Sequence, residues 1–231
     1  MSRRNWRAIM RRVAVPAVLA AVAALVAPAP ATAEPAGREP VVFVHGLFGS
    51  TANFDTMSLR FRLNGYARSE LVAFGYDSTG SLVTAANQFA ATVDRVRAET
   101  GATKVDVVTH SLGGLPSRWY VKFLGGTENV DDWISLGGPN QGGDPGTCPA
   151  PGSVACEQAT KGSAFVTELN GGDPTPGAVS YTTYSSRCDT VVDNEWTVLD
   201  GATNVDVGCV SHTNLVSDRS VFDRVRQAVT G

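Results

Sequence analysis

Short apolar runs recur along the chain at Pro40-Val41-Val42-Phe43-Val44, Glu70-Leu71-Val72-Ala73-Phe74, Val105 to Val108, Asp132-Trp133-Ile134-Ser135-Leu136, Val179 to Tyr184 and Val205 to Val210. Their length and lack of alternation predict strands buried on both faces of a parallel sheet. Between the second and third runs, Leu82, Ala86, Phe89, Val93 and Val96 fall on one face of a helix from Ser81 to Thr100, with Gly101 as its stop. Leu112 to Phe123 and Ser217 to Val229 predict further helices, the last with Ser217 or Asp218 as N-cap. The alternation gives an α/β fold: a mainly parallel central sheet flanked by helices, with ligands bound at the carboxyl ends of the strands. Gly137 to Gly177 interrupts the pattern with glycine and proline. It predicts an ordered surface loop with one short helix, Gln158 to Leu169, and the whole segment between Leu136 and Val179 is too short and too broken for a large lid.

The first residues change the domain count. Arg3, Arg4, Arg7, Arg11 and Arg12 precede an uncharged stretch from Val13 to Val26, and Ala31-Thr32-Ala33 precedes Glu34. This order predicts a signal peptide over residues 1–33, removed to leave one domain at 34–231. An uncleaved anchor is the alternative, disfavoured by the Ala-x-Ala site and the short span, which Pro16 interrupts. Arg3-Arg4 leaves the export route open. The whole chain carries 19 basic and 22 acidic residues, and losing the arginine-rich leader makes the remainder distinctly acidic. Nucleic acid is therefore excluded as a partner, and a secreted monomer is expected. In an exported chain the four cysteines are expected to pair, and local order favours Cys148 with Cys156 and Cys188 with Cys209. None has the Cys/His spacing of a zinc site, so no metal is expected.

The run from Val105 to Gly114 leads from a strand into a small-residue turn with Ser111 at its apex. A serine so placed suits a nucleophile, provided that its neighbours let the backbone double back. Gly113 meets that need, whereas Thr109 stands where the usual pattern has glycine. A serine hydroxyl needs a base to take its proton, and the chain contains His45, His110 and His212. His110 points to the opposite strand face from Ser111, and His45 reads as a structural residue bonding the loop backbone. His212, after the last strand and before the last helix, remains as the base. Its carboxylate partner must lie between Ser111 and His212; Asp189 fits best, with Asp193 and Glu195 as competitors and Asp144 and Asp173 further off. The backbone N–H groups of Leu47 and Leu112 are the expected oxyanion donors. Leu47, Phe48, Phe54, Leu112, Leu115 and Phe165 fit an acyl pocket or the core equally well.

The segments Val42-Phe43-Val44-His45-Gly46-Leu47-Phe48-Gly49, Thr109-His110-Ser111-Leu112-Gly113-Gly114, Ser135 to Gly142 and Cys209-Val210-Ser211-His212 together resemble small secreted bacterial lipases and esterases. More narrowly, they resemble the actinobacterial class 2 lipases of the α/β-hydrolase superfamily. The resemblance implies that fold with a small lid or none, the triad Ser111, Asp189 and His212, and an oxyanion hole at Leu47 and Leu112. It also implies hydrolysis of carboxylic esters, acylglycerols or short acyl esters, through an acyl-enzyme, without a cofactor and with transient contact at a lipid–water interface. Polyester hydrolysis or acyl transfer by the same triad, and a secreted binding protein that has lost the chemistry, are the alternatives.

Overall fold

The computed structural model describes residues 38–231; the expected signal peptide and its cleavage site lie outside the described residues. Six strands form one parallel sheet: β1 (Val41–Val44), β2 (Leu71–Phe74), β3 (Val105–His110), β4 (Val130–Leu136), β5 (Ser180–Ser185) and β6 (Thr203–Asp206), in spatial order β2-β1-β3-β4-β5-β6. All five pairings are parallel. β1 and β3 are both interior strands, each paired on both sides, which explains their fully apolar or fully buried runs.

The two faces of the sheet are covered separately. Val41 and Phe43 of β1 point into a core with α1 (Asp55–Leu63) and α7 (Arg219–Ala228), whereas Val42 and Val44 point into one with α2 (Leu82–Thr100) and α3 (Gly114–Phe123). This is the period-two alternation of a strand, with both sides apolar because both sides meet a helix. A third apolar cluster joins Leu82 and Leu115 to α4 (Val154–Ala159) and α5 (Ala164–Asn170). A short α6 (Asn194–Thr197) follows β5. Among the described residues no helix is long and apolar enough to cross a membrane.

The structure departs from the pattern of the sequence in three places. The single helix from Gln158 to Leu169 is two helices, because Gly162 takes φ +80° and Ser163 starts α5 afresh by accepting from the Val166 N–H at 3.1 Å. The last strand ends at Asp206 instead of reaching Val210: the Asp206 carboxylate accepts from Gly208 N–H at 2.7 Å, and Gly208, at φ +92°, turns the chain out of the sheet. α1 was not expected, since its buried residues, Met57 and Phe61, are spaced among charged ones. Elsewhere Ser81 and Gly101 cap α2 as anticipated, and Asp218 caps α7.

Two buried polar groups tie the site-bearing edge together. Arg118 of α3 is fully buried and donates to Asn140 O at 3.0 Å, Asn170 Oδ1 at 2.7 Å and Pro174 O at 3.3 Å, which anchors the long segment between β4 and β5. Burial lowers the Arg118 guanidinium to about 9. His110, at the end of β3, donates from Nε2 to the His212 carbonyl at 3.0 Å. Burial, aided by the neighbouring His212, lowers its pKa to about 4. Between that value and about 6.5 the unfolded chain binds a proton that the folded ring refuses. The stabilisation is thus complete above about pH 6.5 and is lost as pH falls towards 4. His110→Asn should flatten this acid limb: its melting temperature, scanned from neutral pH down to acid, should fall less steeply than that of the wild type. Parallel curves would show that His110 does not set the limb.

Candidate active site

Ser111 is held at φ +54°, a left-handed conformation that is strained for any residue but glycine. The strain puts its side chain at the turn between β3 and α3, facing a cleft of about 390 Å³. Two glycines make the turn possible. A Cβ at Gly113 would come within 2.5 Å of the His45 carbonyl and 2.6 Å of that of Val44. A Cβ at Gly46 would come within 2.7 Å of the Ser111 Cβ. Thr109, the departure from the usual pattern, meets no such obstacle: it is fully buried and its hydroxyl donates to Ile134 O at 3.1 Å on the next strand. The crowding lies on the downstream side of the serine, so a threonine upstream is accommodated.

His212 opens a short 3-10 helix, His212–Val216, and lines the same cleft as Ser111, Leu47 and Leu112. Its Nδ1 meets Asp189 Oδ2 at 2.6 Å, with the Asp189 side chain 1% exposed. The other carboxylate oxygen accepts from the Val191 and Val192 N–H groups, each at 2.9 Å. Burial pushes the Asp189 carboxyl up, but the hydrogen bonds from His212 and these two amides outweigh it, leaving the pKa below its ordinary value. The competitors lie elsewhere. Asp193 caps α6, accepting from the Glu195 N–H at 3.2 Å, and Asp193, Glu195, Asp144 and Asp173 are all exposed. Gly137 lies against the pair: a Cβ there would come within 3.0 Å of Asp189 Oδ2. Cys188 is bridged to Cys209 with Cα atoms 4.7 Å apart, and Cys148 to Cys156 at 5.6 Å, both within disulfide reach. The first bridge joins the loops that carry Asp189 and His212.

The loop after β1 is the second strained element. Phe48 takes φ +56°, and its N–H donates to Ser78 Oγ at 2.9 Å. Gly49 N–H closes the turn onto Gly46 O at 3.0 Å. The Leu47 N–H between them has no acceptor among the described residues. His45 is buried beneath: Nδ1 donates to Gly46 O at 2.9 Å, Nε2 accepts from the Tyr76 N–H at 3.4 Å, and the Tyr76 hydroxyl donates to His45 O at 2.9 Å. Burial lowers the His45 pKa, in keeping with a neutral, structural ring. Ser78 and Tyr76 lie outside every motif of the sequence, and nothing in their spacing points to them; Gly137 falls within the Ser135 to Gly142 segment, but its place against Asp189 is visible only in the fold. They act across the fold on segments remote in the chain.

Of the six residues weighed as pocket or core, Leu47, Phe48 and Leu112 line the cleft, whereas Phe54, Leu115 and Phe165 are packed inside. Pro149, Val191 and Trp196 add to the apolar wall. The group of carboxylates able to converge on a metal ion, Asp106, Asp131 and Asp132, lies at the other end of β3 from Ser111.

Known proteins share this arrangement of strands. The mature form of the Bacillus licheniformis lipase BlEst2 superimposes with a TM-score of 0.75 at 19% identity, covering 86% of this chain and 94% of that one. Lipase B of Aspergillus fumigatus gives 0.70 at 18% identity over 87% of this chain and 55% of that one. At such identities the likeness establishes the fold, which is that of the α/β-hydrolases. In sequence, a triacylglycerol lipase of Pseudarthrobacter phenanthrenivorans is 31% identical over 115 residues, covering 47% of this chain and 35% of the relative. One of Pseudomonas fragi is 28% identical over 151 residues, 58% of this chain and 48% of the relative. The chain thus spans less than half the length of these two relatives. The model of the family described as lipase (class 2) matches residues 38–225, most of the sequence, and the chain belongs to that family.

Proposed function

We propose that this class 2 lipase is an exported serine ester hydrolase of the small actinobacterial type, made with residues 1–33 as a removable signal peptide and acting as the single domain 34–231. The observation that carries the reading is the bond of His212 Nδ1 to the buried Asp189 carboxylate, on a cleft shared with the strained Ser111. With Nδ1 committed to Asp189, Nε2 is the nitrogen left to serve the serine. Ser111 Oγ adds to the ester carbonyl as its proton passes to Nε2, and Asp189 fixes the tautomer and stabilises the imidazolium. The developing oxyanion is met by the N–H groups of Leu47 and Leu112, each worth about 3 kcal/mol of barrier. Leu112 lies in the first turn of a helical run, where amides lack intrahelical acceptors. Collapse expels the alcohol with the proton from His212 and leaves the acyl group on Ser111; water, activated by the same imidazole, then releases the acid.

The apolar wall of the cleft suits an acyl chain, so acylglycerols and short acyl esters are the substrates proposed. Phe48, 66% exposed, and Val191, 53% exposed, stand at the mouth where a lipid–water interface would touch. An organophosphonate should label Ser111 stoichiometrically and abolish hydrolysis of a p-nitrophenyl ester, and Ser111→Ala should do neither. Hydrolysis persisting in Ser111→Ala would refute the reading.

Two further outcomes follow from the geometry. Asp189→Asn should lower kcat by about 10⁴ while Asp193→Asn leaves it nearly intact. Comparable losses in both would reassign the acid. Ser78→Ala removes the acceptor that holds Phe48 N–H in its strained turn, and with it the aim of the Leu47 amide. We expect kcat to fall by about tenfold with KM unchanged, and Ser78→Thr to restore most of it. A lowered melting temperature with kcat intact would instead make Ser78 a folding residue alone.

A further inference from the structure

At the amino-terminal end of β3 and β4, far along the strand from the cleft, the ladder is irregular. Val105 pairs with Val130 and Val107 with Trp133, so Asp106 alone faces both Asp131 and Asp132. Such a bulge re-aims side chains. Here it gathers three carboxylates whose ligand oxygens all lie within 4.8 Å of one another. Asp106 is 1% exposed; its Oδ1 accepts from the Asp132 N–H at 3.3 Å, while its Oδ2 is buried and has no hydrogen-bond partner among the described residues. A second buried oxygen nearby is in the same condition. The Tyr66 hydroxyl, on a residue 5% exposed, has no partner, and Asp106 is close enough for its charge to oppose ionisation of the phenol. Buried polar atoms are rarely left so, and two together call for a missing partner.

Charge points to what that partner is. Glu39 is a fourth carboxylate in the neighbourhood, adding its repulsion to Asp106 and Asp132. The cation in contact is Lys104, whose Nζ lies 2.8 Å from Asp131 Oδ1. It pairs with Asp131 and its charge also reaches Asp132, which accepts a hydrogen bond from Ser180, but among the described residues no cation covers Asp106.

We propose that Asp106, Asp131 and Asp132 form a calcium site that pins β3 to β4 beneath the nucleophile strand. Oxygen-only donors suit a hard cation. Calcium takes six to eight oxygen ligands in a flexible shell, whereas magnesium demands near-ideal octahedral geometry and keeps several of its waters, so a cluster of side-chain carboxylates favours calcium. Water and the half-exposed side of Asp131 complete the shell, and Lys104 swings to solvent. The bound ion stabilises the folded chain by mass action, because the ligands are not assembled when it is unfolded.

The test uses the whole chain after EDTA treatment. Added calcium chloride should raise the melting temperature by several degrees and give a saturable heat in a direct calorimetric titration, with magnesium chloride much weaker. Asp106→Asn and Asp132→Asn should each abolish the calcium response while melting in EDTA no lower than the wild type, since each removes a repelling carboxylate. Asp189→Asn should keep the full response. No shift and no heat in the wild type would overturn the proposal, as would an equal response to magnesium, a response surviving both β3–β4 variants, or one lost in Asp189→Asn. Failure of the hydrolase reading would leave all of these outcomes unaffected.

Discussion

The site rests on one close approach: the backbone of the loop leaving β1 presses against the turn leaving β3. Gly113 has no room for a side chain because the carbonyls of Val44 and His45 occupy it, and Gly46 has none because Ser111 does. This contact holds Ser111 in a left-handed conformation that costs on the order of 1–3 kcal/mol. The same contact brings the Leu47 amide to the cleft edge that the serine enters. The central strands supply the rigidity, since β1 and β3 are hydrogen-bonded neighbours in register along Val41 to Val44. Strain at the tip is tolerated because the strands beneath cannot relax it.

Three histidines share this edge and have different fates, set by what surrounds each ring. His45 is locked by Gly46 O on one nitrogen and Tyr76 N–H on the other, so it has no free nitrogen to offer. His110 spends Nε2 on the backbone of His212, and burial keeps it neutral. His212 alone bonds a carboxylate through Nδ1 while facing the cleft. Its ring lies against that of His110 with centroids 4.6 Å apart. A neutral His110 sets no positive charge against that ring.

Sheet and site were legible in the sequence to different depths. The buried strands announce themselves as apolar runs because helices cover both faces, and Ser81, Gly101 and the apolar stripe between them fix α2 by local rules alone. The exposed edge was harder. β6 is four residues long and mostly exposed, so its composition carries no burial signal, and the valines after it belong to a loop. The helices of the segment after β4 are positioned by Arg118 and by Gln158, which accepts from Leu82 N–H at 2.7 Å, and these are contacts between remote parts of the chain. At the site, residue types and order suffice to nominate Ser111, Asp189 and His212. Choosing Asp189 over Asp193 by geometry needs the turn at Val191 and Val192, whose amides hold the carboxylate in place.

The proposed acid and base, Asp189 and His212, stand on loops beside β6, the most exposed strand of the sheet, and that placement explains the hardware around them. With little apolar burial, β6 cannot by itself fix the loop that leads to His212. Ser186, 1% exposed, supplies one tether: its Oγ accepts from Val210 N–H at 2.8 Å and donates to Val210 O at 2.6 Å, binding the end of β5 to the base loop. The Cys188–Cys209 bridge supplies another, closing a sequence separation of 21. By loop entropy a closure of that size contributes roughly 3 kcal/mol. Hydrogen bonds and a covalent link thus reinforce on this side the packing of Leu215 and Val216. A strand buried on both faces positions Ser111, whereas the loop carrying His212 adds these tethers to the packing of Leu215 and Val216, so reducing the bridge acts on the proposed base and leaves the strand of the proposed nucleophile untouched.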